Sequence, residues 1–172
     1  MLDAPQLSDD FYLNLVDWSE SNHLAVGLMS SVYIWSASSS AVIKLHEYSH
    51  NHDGPASVCW SRQGGNYLAT GTLSGVVQLW DAHTQKLLRT YQGHEGRVAA
   101  LSWTNTNMLS TGSKDRTILN RDMRVKEHYI SRIEAHKQEV CGIKWSFDDR
   151  YLASGGNDNK LKIWEANQQR AN

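Results

Sequence analysis

Helical periodicity is the first thing missing. No stretch of the 172 residues repeats its apolar positions at helical spacing for long enough to rival a strand reading. Cysteine is scarce as well. Cys59 and Cys141 are the only two, and they lack metal-ligand spacing, which predicts free thiols in a reducing compartment. Neither sign of charge dominates: 17 lysines and arginines face 18 aspartates and glutamates, so no global field draws in nucleic acid or an anionic membrane. No apolar run approaches membrane-spanning length. The opening Met1-Leu2-Asp3-Ala4-Pro5 has neither a basic segment nor an apolar core, so no signal peptide is expected. These absences predict a soluble intracellular protein with neither membrane nor nucleic acid as partner.

What the chain does contain is a repeat. All seven tryptophans fall at two phases of it. Trp18, Trp60, Trp103 and Trp145 are 42, 43 and 42 residues apart, and Trp35, Trp80 and Trp164 take the second phase, with Arg121 where an eighth would stand. Short apolar and β-branched runs recur around them. Ser57–Ser61, Ala100–Trp103 and Gly142–Ser146 are one strand of the unit; Asn66–Gly71, Met108–Gly112 and Arg150–Gly155 are the next; Val76–Asp81, Thr117–Asp122 and Lys160–Glu165 are the third. A period in the low forties closing on Trp-Asp is the mark of a four-stranded blade of a WD-repeat β-propeller. The predicted fold is all-β, about four blades of a ring expected to hold seven. A lead-in spans 1–10, blades span about 11–50, 51–92, 93–135 and 136–166, and a polar tail spans 167–172.

The connecting loops have their own chemistry. Gly93-His94 opens the third copy and Ala135-His136 the fourth. In WD-repeat propellers such a His, a strand Ser or Thr, a turn Asp and the Trp form a buried hydrogen-bond chain. The fourth copy has the full set, His136, Ser154, Asp158 and Trp164. The third has His94, Thr111 and Asp115 but ends on Arg121, and the second has Thr70 and Trp80 with Ser74 in the Asp position. Recurrence at repeat spacing makes these histidines and aspartates structural and not a catalytic dyad. Lys114, Arg116, Arg121, Arg124 and Lys126 form a local basic cluster, read as a solvated blade edge.

Four copies fill nearly the whole chain, which leaves two end faces unpaired and partly apolar. The expectation is a piece of a longer protein or, failing that, self-association through the open blade ends.

Longer strings narrow the reading. Leu2-Asp3-Ala4-Pro5 followed by Asp9–Ser19, then Ser31–Ala37, Gln138–Gly142 and Leu152–Asn159, closely resemble the Fizzy and Fizzy-related proteins, WD-repeat activators of the anaphase-promoting complex, a ubiquitin ligase. The likeness covers essentially the full chain, and Asp115–Asp122 with Asn159-Lys160-Leu161 look nearer the Fizzy-related branch. The resemblance implies a substrate-recruiting and activating subunit with no chemistry of its own and no cofactor. It would act in the nucleus and cytoplasm, with the complex and degron-bearing cell-cycle proteins as partners. It implies that Asp3 receives the Arg of a destruction box, while Leu2, Tyr33 and Trp35 wall the pocket for its Leu. It assigns Asp10, Phe11 and Asn157 to a Lys-Glu-Asn motif on the top face. Without the resemblance, Trp35 reads as a core residue by repeat phase, and Asp3, Asp10 and Asn157 as turn residues.

Two other classes stand beside this one. A generic WD-repeat scaffold would need neither Asp3 nor Trp35. A truncated activator, without the docking box and Ile-Arg tail of the family, would bind degrons weakly and leave the ligase inactive. An enzyme would need a nucleophile beside a base, or a metal set; every His, Cys and Asp grouping is accounted for by the repeat, so no catalytic or metal-binding residue is expected.

Overall fold

The computed structural model describes residues 9–48 and 53–166. The described residues form fifteen strands in four antiparallel sheets, each ordered as the chain runs. The first contains β1 (Val16–Trp18), β2 (His23–Leu28), β3 (Ser31–Ser36) and β4 (Val42–Glu47). The second contains β5 (Pro55–Trp60), β6 (Tyr67–Thr72), β7 (Val77–Asp81) and β8 (Lys86–Tyr91). The third contains β9 (Val98–Trp103), β10 (Met108–Ser113), β11 (Thr117–Asp122) and β12 (Ser131–Glu134). The fourth has β13 (Val140–Trp145), β14 (Tyr151–Gly156) and β15 (Lys160–Glu165). These are the partial propeller the period predicts, with one difference. Among the described residues no strand pairs with the outer side of β15, so the fourth sheet has three strands where four were expected.

Each sheet buries one face on the next, and the three seams are the core. Ala25, Val32, Ile34 and Leu45 of the first sheet meet Val58, Trp60, Leu68 and Trp80 of the second. Ala69, Val77, Leu79 and Tyr91 meet Val98, Trp103 and Leu109. Ala100, Ile118 and Ala135 meet Val140, Ile143, Trp145 and Leu152. Burying side chains of this size stabilises by roughly 1.5–3 kcal/mol each. The inner-strand tryptophans also stitch neighbouring sheets through polar atoms. Trp60 donates its indole N–H to the Asp17 carbonyl (3.1 Å), Trp103 to the Cys59 carbonyl (3.2 Å) and Trp145 to the Ser110 hydroxyl (2.9 Å). The seams are tight where glycine recurs. A Cβ at Gly71 would collide with the Val98 carbonyl oxygen, and one at Gly112 would lie 2.6 Å from Val140 Cγ1.

The polar chain of the fourth blade is complete. Trp164 donates to Ser154 Oγ (2.9 Å), Ser154 to His136 Nε2 (2.8 Å), and His136 Nδ1 to Asp158 (2.9 Å). With a neutral imidazole every donor finds an acceptor. The backbone N–H of Lys137 and the His136 ring hold the Asp158 carboxyl down at about 2. In the third blade His94 bonds Thr111 and Asp115, each at 2.8 Å, and burial pushes the His94 pKa below its usual value despite the aspartate.

The second blade solves the same problem with other residues. Tyr48, at the end of the first copy, stands where the histidine would. Its hydroxyl lies 3.0 Å from Thr70 Oγ1 and donates to Gln78 Oε1 (2.8 Å), while Trp80 donates to Thr70 (3.3 Å). Burial pushes the Tyr48 phenol up to about 12. The acid has changed sides as well: Asp53 accepts from the Ser74 hydroxyl at 2.6 Å.

Candidate functional site

Two regions gather the residues singled out in the sequence. The first is the outward face of the first sheet. Side chains alternate along a strand, and Val32 and Ile34 are buried against the second sheet. Tyr33 and Trp35 therefore stand on the opposite face of β3, across from Val26 and Leu24 of β2. Trp18 joins them there. At the phase where Trp60, Trp103 and Trp145 reach into a preceding sheet, Trp18 has none among the described residues to enter. It is 53% exposed and makes an edge contact with Trp35 (centroids 5.8 Å, 67°). Its indole N–H turns instead to Asn22 Oδ1 at 3.3 Å. Trp35 is thus half-buried, neither the core residue of repeat logic nor freely exposed. The surface formed by Val16, Trp18, Tyr33 and Trp35 suits an apolar side chain. Leu2 and Asp3 lie outside the described residues.

The second region joins the lead-in to the top of the third and fourth sheets. Asp10 and the backbone of Asn157 are tied into one assembly by two residues that the sequence reading passed over, Arg97 and Glu139. Arg97 grips Glu139 with a two-point fork (2.7 and 3.0 Å) and reaches Asp10 with its third nitrogen (2.7 Å). Its guanidinium sits over the Tyr12 ring, 4.9 Å from the centroid. The Glu139 carbonyl accepts the backbone N–H of Asn157 (2.9 Å). Asp10 Oδ1 accepts the Tyr12 N–H (3.0 Å), fixing the lead-in turn. The contact with Glu139, then that with Asp10, raises the Arg97 pKa. Phe11 projects outward, 94% exposed, with its ring edge-on to Tyr12. The signal that could have found Arg97 and Glu139 is positional. Each directly precedes an inner-strand valine, Val98 and Val140, one repeat apart and opposite in charge.

The basic cluster of the third copy does not assemble. Arg121 is fully buried. Arg124 folds back on Asp122 with a 2.8 Å contact, while Lys114 and Arg116 border a top-side groove with Leu73 and Glu95. Both cysteines are free thiols. The Cys59 thiol is pushed up to about 12 by burial, which leaves it a poor nucleophile. Among the described residues no group of three or more His, Cys, Asp or Glu side chains is placed to hold a metal ion, and no helix is long and apolar enough to cross a membrane.

Residues 2–172 match the CDC20/Fizzy WD40 domain. Protein FIZZY-RELATED 3 of Arabidopsis thaliana is 53% identical over 98% of this chain and 34% of its own length. Anaphase-promoting complex subunit cdc20 of Dictyostelium discoideum is 49% identical over the same 98%, again 34% of its own length. The chain therefore spans about a third of the length of the curated relatives it matches. A chain in the crystal structure of the mitotic checkpoint complex superposes with a TM-score of 0.93 at 45% identity, covering 96% of this chain and 51% of that one.

Proposed function

The chain belongs to the CDC20/Fizzy family, and we propose that it serves as a substrate-recruiting part of an activator of the anaphase-promoting complex. It binds destruction-box and Lys-Glu-Asn degrons, performs no chemistry of its own and acts in the nucleus and cytoplasm. The observation that carries this reading is the aromatic outward face of the first sheet. Tyr33 and Trp35, which the family resemblance assigns to the pocket for the destruction-box leucine, stand with Trp18 on the side away from the second sheet. The second support is the joining of Asp10 and Asn157 to one ionic cluster on a different face. Two sites for two short motifs suit an adaptor.

Peptide titration tests the reading. Asp3→Ala should weaken a destruction-box peptide roughly 10- to 150-fold, the worth of a charge-assisted hydrogen bond of about 1.5–3 kcal/mol. Trp35→Ala should cost at least as much by emptying the apolar slot, with melting measured beside binding. A Lys-Glu-Asn peptide should be nearly indifferent to both. No loss for the destruction-box peptide would sink the assignment in favour of a generic scaffold.

A further inference from the structure

The proposed Lys-Glu-Asn face is arranged by Arg97, a residue outside the motif's assigned contacts that bonds directly to one of them, Asp10. Arg97 leads β9 of the third sheet, Glu139 leads β13 of the fourth, and Asp10 belongs to the lead-in ahead of the first. One guanidinium spans all three segments: fork to Glu139, single contact to Asp10, ring face of Tyr12 beneath. Asn157 is tied to the same assembly through the Glu139 carbonyl.

The electrostatics are asymmetric in a useful way. Two carboxylates share one cation, so one negative charge is left over. Glu139 is buried at 8% exposure and takes two of the three hydrogen bonds from Arg97, whereas the Asp10 side chain is 34% exposed and takes one. The uncompensated charge therefore sits on Asp10, at the solvent edge. Its carboxylate is also held in one orientation, with Oδ1 on the Tyr12 N–H and Oδ2 on Arg97. A carboxylate fixed before the ligand arrives loses less freedom on binding.

We infer that Arg97 is the positioning residue of this face, aiming the Asp10 carboxylate at an incoming ammonium and docking the lead-in onto the third and fourth sheets. The inference rests on the reading of Asp10 and Asn157 as Lys-Glu-Asn contacts. Arginine is required because a lysine cannot bridge a two-point fork and a third contact at once.

The experiment is calorimetric titration of the protein with a Lys-Glu-Asn peptide, and with a destruction-box peptide as control. Wild type is compared with Asp10→Asn, Arg97→Ala, Arg97→Lys and the Asp10→Asn/Arg97→Ala double variant. Arg97→Ala should weaken the Lys-Glu-Asn peptide about tenfold or more while sparing the control. Arg97→Lys should fall between, and Arg97→Ala should cost little further once Asp10 is Asn, because the arginine acts through the aspartate. Unchanged affinity in Arg97→Ala while Asp10→Asn is weakened overturns the positioning role alone, as do fully additive losses. Equal losses for both peptides in Arg97→Ala and Arg97→Lys mean a purely structural arginine and overturn it too. Failure of wild type to bind the Lys-Glu-Asn peptide removes the site reading, and the inference with it.

Discussion

The third and fourth blades carry the same histidine, hydroxyl and aspartate and part only at the last member. In the fourth, Trp164 supplies a single N–H to Ser154, and the chain of donors and acceptors ends satisfied. In the third, Arg121 reaches the matching Thr111 hydroxyl with Nε at 3.4 Å, but it brings two further nitrogens and a charge into a fully buried place. One terminal nitrogen finds the carbonyls of Gln92 (3.1 Å) and His128. The other has no hydrogen-bond partner among the described residues. The Tyr91 ring lies 5.3 Å below the guanidinium, and burial pushes the Arg121 pKa down to about 10. The repeat position thus asks for a flat, donor-bearing side chain. When a guanidinium fills it, backbone carbonyls from the preceding strand end and the following loop are recruited as compensation. The third blade is accordingly locked to its 123–130 loop in a way that the regular network does not provide.

The largest effect expected from breaking this contrast is at Arg121 itself. Arg121→Ala empties a buried volume and removes the donor to the Gln92 and His128 carbonyls, while Thr111 keeps its bond to His94. It should cost about 3–5 kcal/mol, read as a fall in the denaturant midpoint, in line with large-to-small core changes. A loss below about 1 kcal/mol would mean that the guanidinium contributes no more than a surface side chain.

A smaller effect separates the forward faces of the same two blades. Gly112 and Gly155 occupy one repeat position. The Cβ of an alanine at 112 would press on Val140 Cγ1 at 2.6 Å, but at 155 it would meet nothing within 4 Å. Gly112→Ala should destabilise by about 1–3 kcal/mol through overpacking. Gly155→Ala in this 172-residue chain should be neutral, or stabilising by up to about 1 kcal/mol through the unfolded state. Equal destabilisation at both positions would reveal something seated on the fourth sheet. Sedimentation of the same sample checks the candidate occupant, a second copy meeting the exposed Leu161 and Ile163.

The smallest effect is pH dependence in the third blade. Burial lowers the folded pKa of His94 from the ordinary 6.5, so the unfolded chain takes up a proton there before the native one does. Stability should therefore fall as pH drops through about 6.5, and be regained above it, because ν_U exceeds ν_N on the acid side. His46, also lowered by burial, adds to this slope. His94→Gln should flatten part of the dependence of the melting temperature on pH between 7.5 and 5.5. An unchanged slope would show that His94 is not held neutral.

Much of the fold was legible because each element repeats. Trp60, Trp103 and Trp145 mark the inner strands at one phase, and the Gly71, Gly112 and Gly155 ends of the second strands follow in step. The network of the fourth blade could be read residue by residue, since all of its members stand at their usual spacing. The second blade could not. Its histidine is replaced by Tyr48 from the end of the preceding copy, and its acid has moved to Asp53, so a search within one repeat sees only Ser74 out of place.

The candidate top face was half legible. Asp10, Phe11 and Asn157 came from the family resemblance, whereas Arg97 and Glu139 carry no local signature beyond their matching positions ahead of Val98 and Val140. The sequence by itself determined the period, the strand identity and the apolar seams, because alternation and repeat spacing are local properties of a chain. Only the tertiary structure decided that Trp18 and Trp35 share an outward aromatic face, that Arg121 lies buried and apart from its basic neighbours, and that Arg97 joins residues 87 and 42 positions away. Those outcomes depend on which sheet lies beside which, and a contact between sheets leaves no periodic trace along the strands that make it.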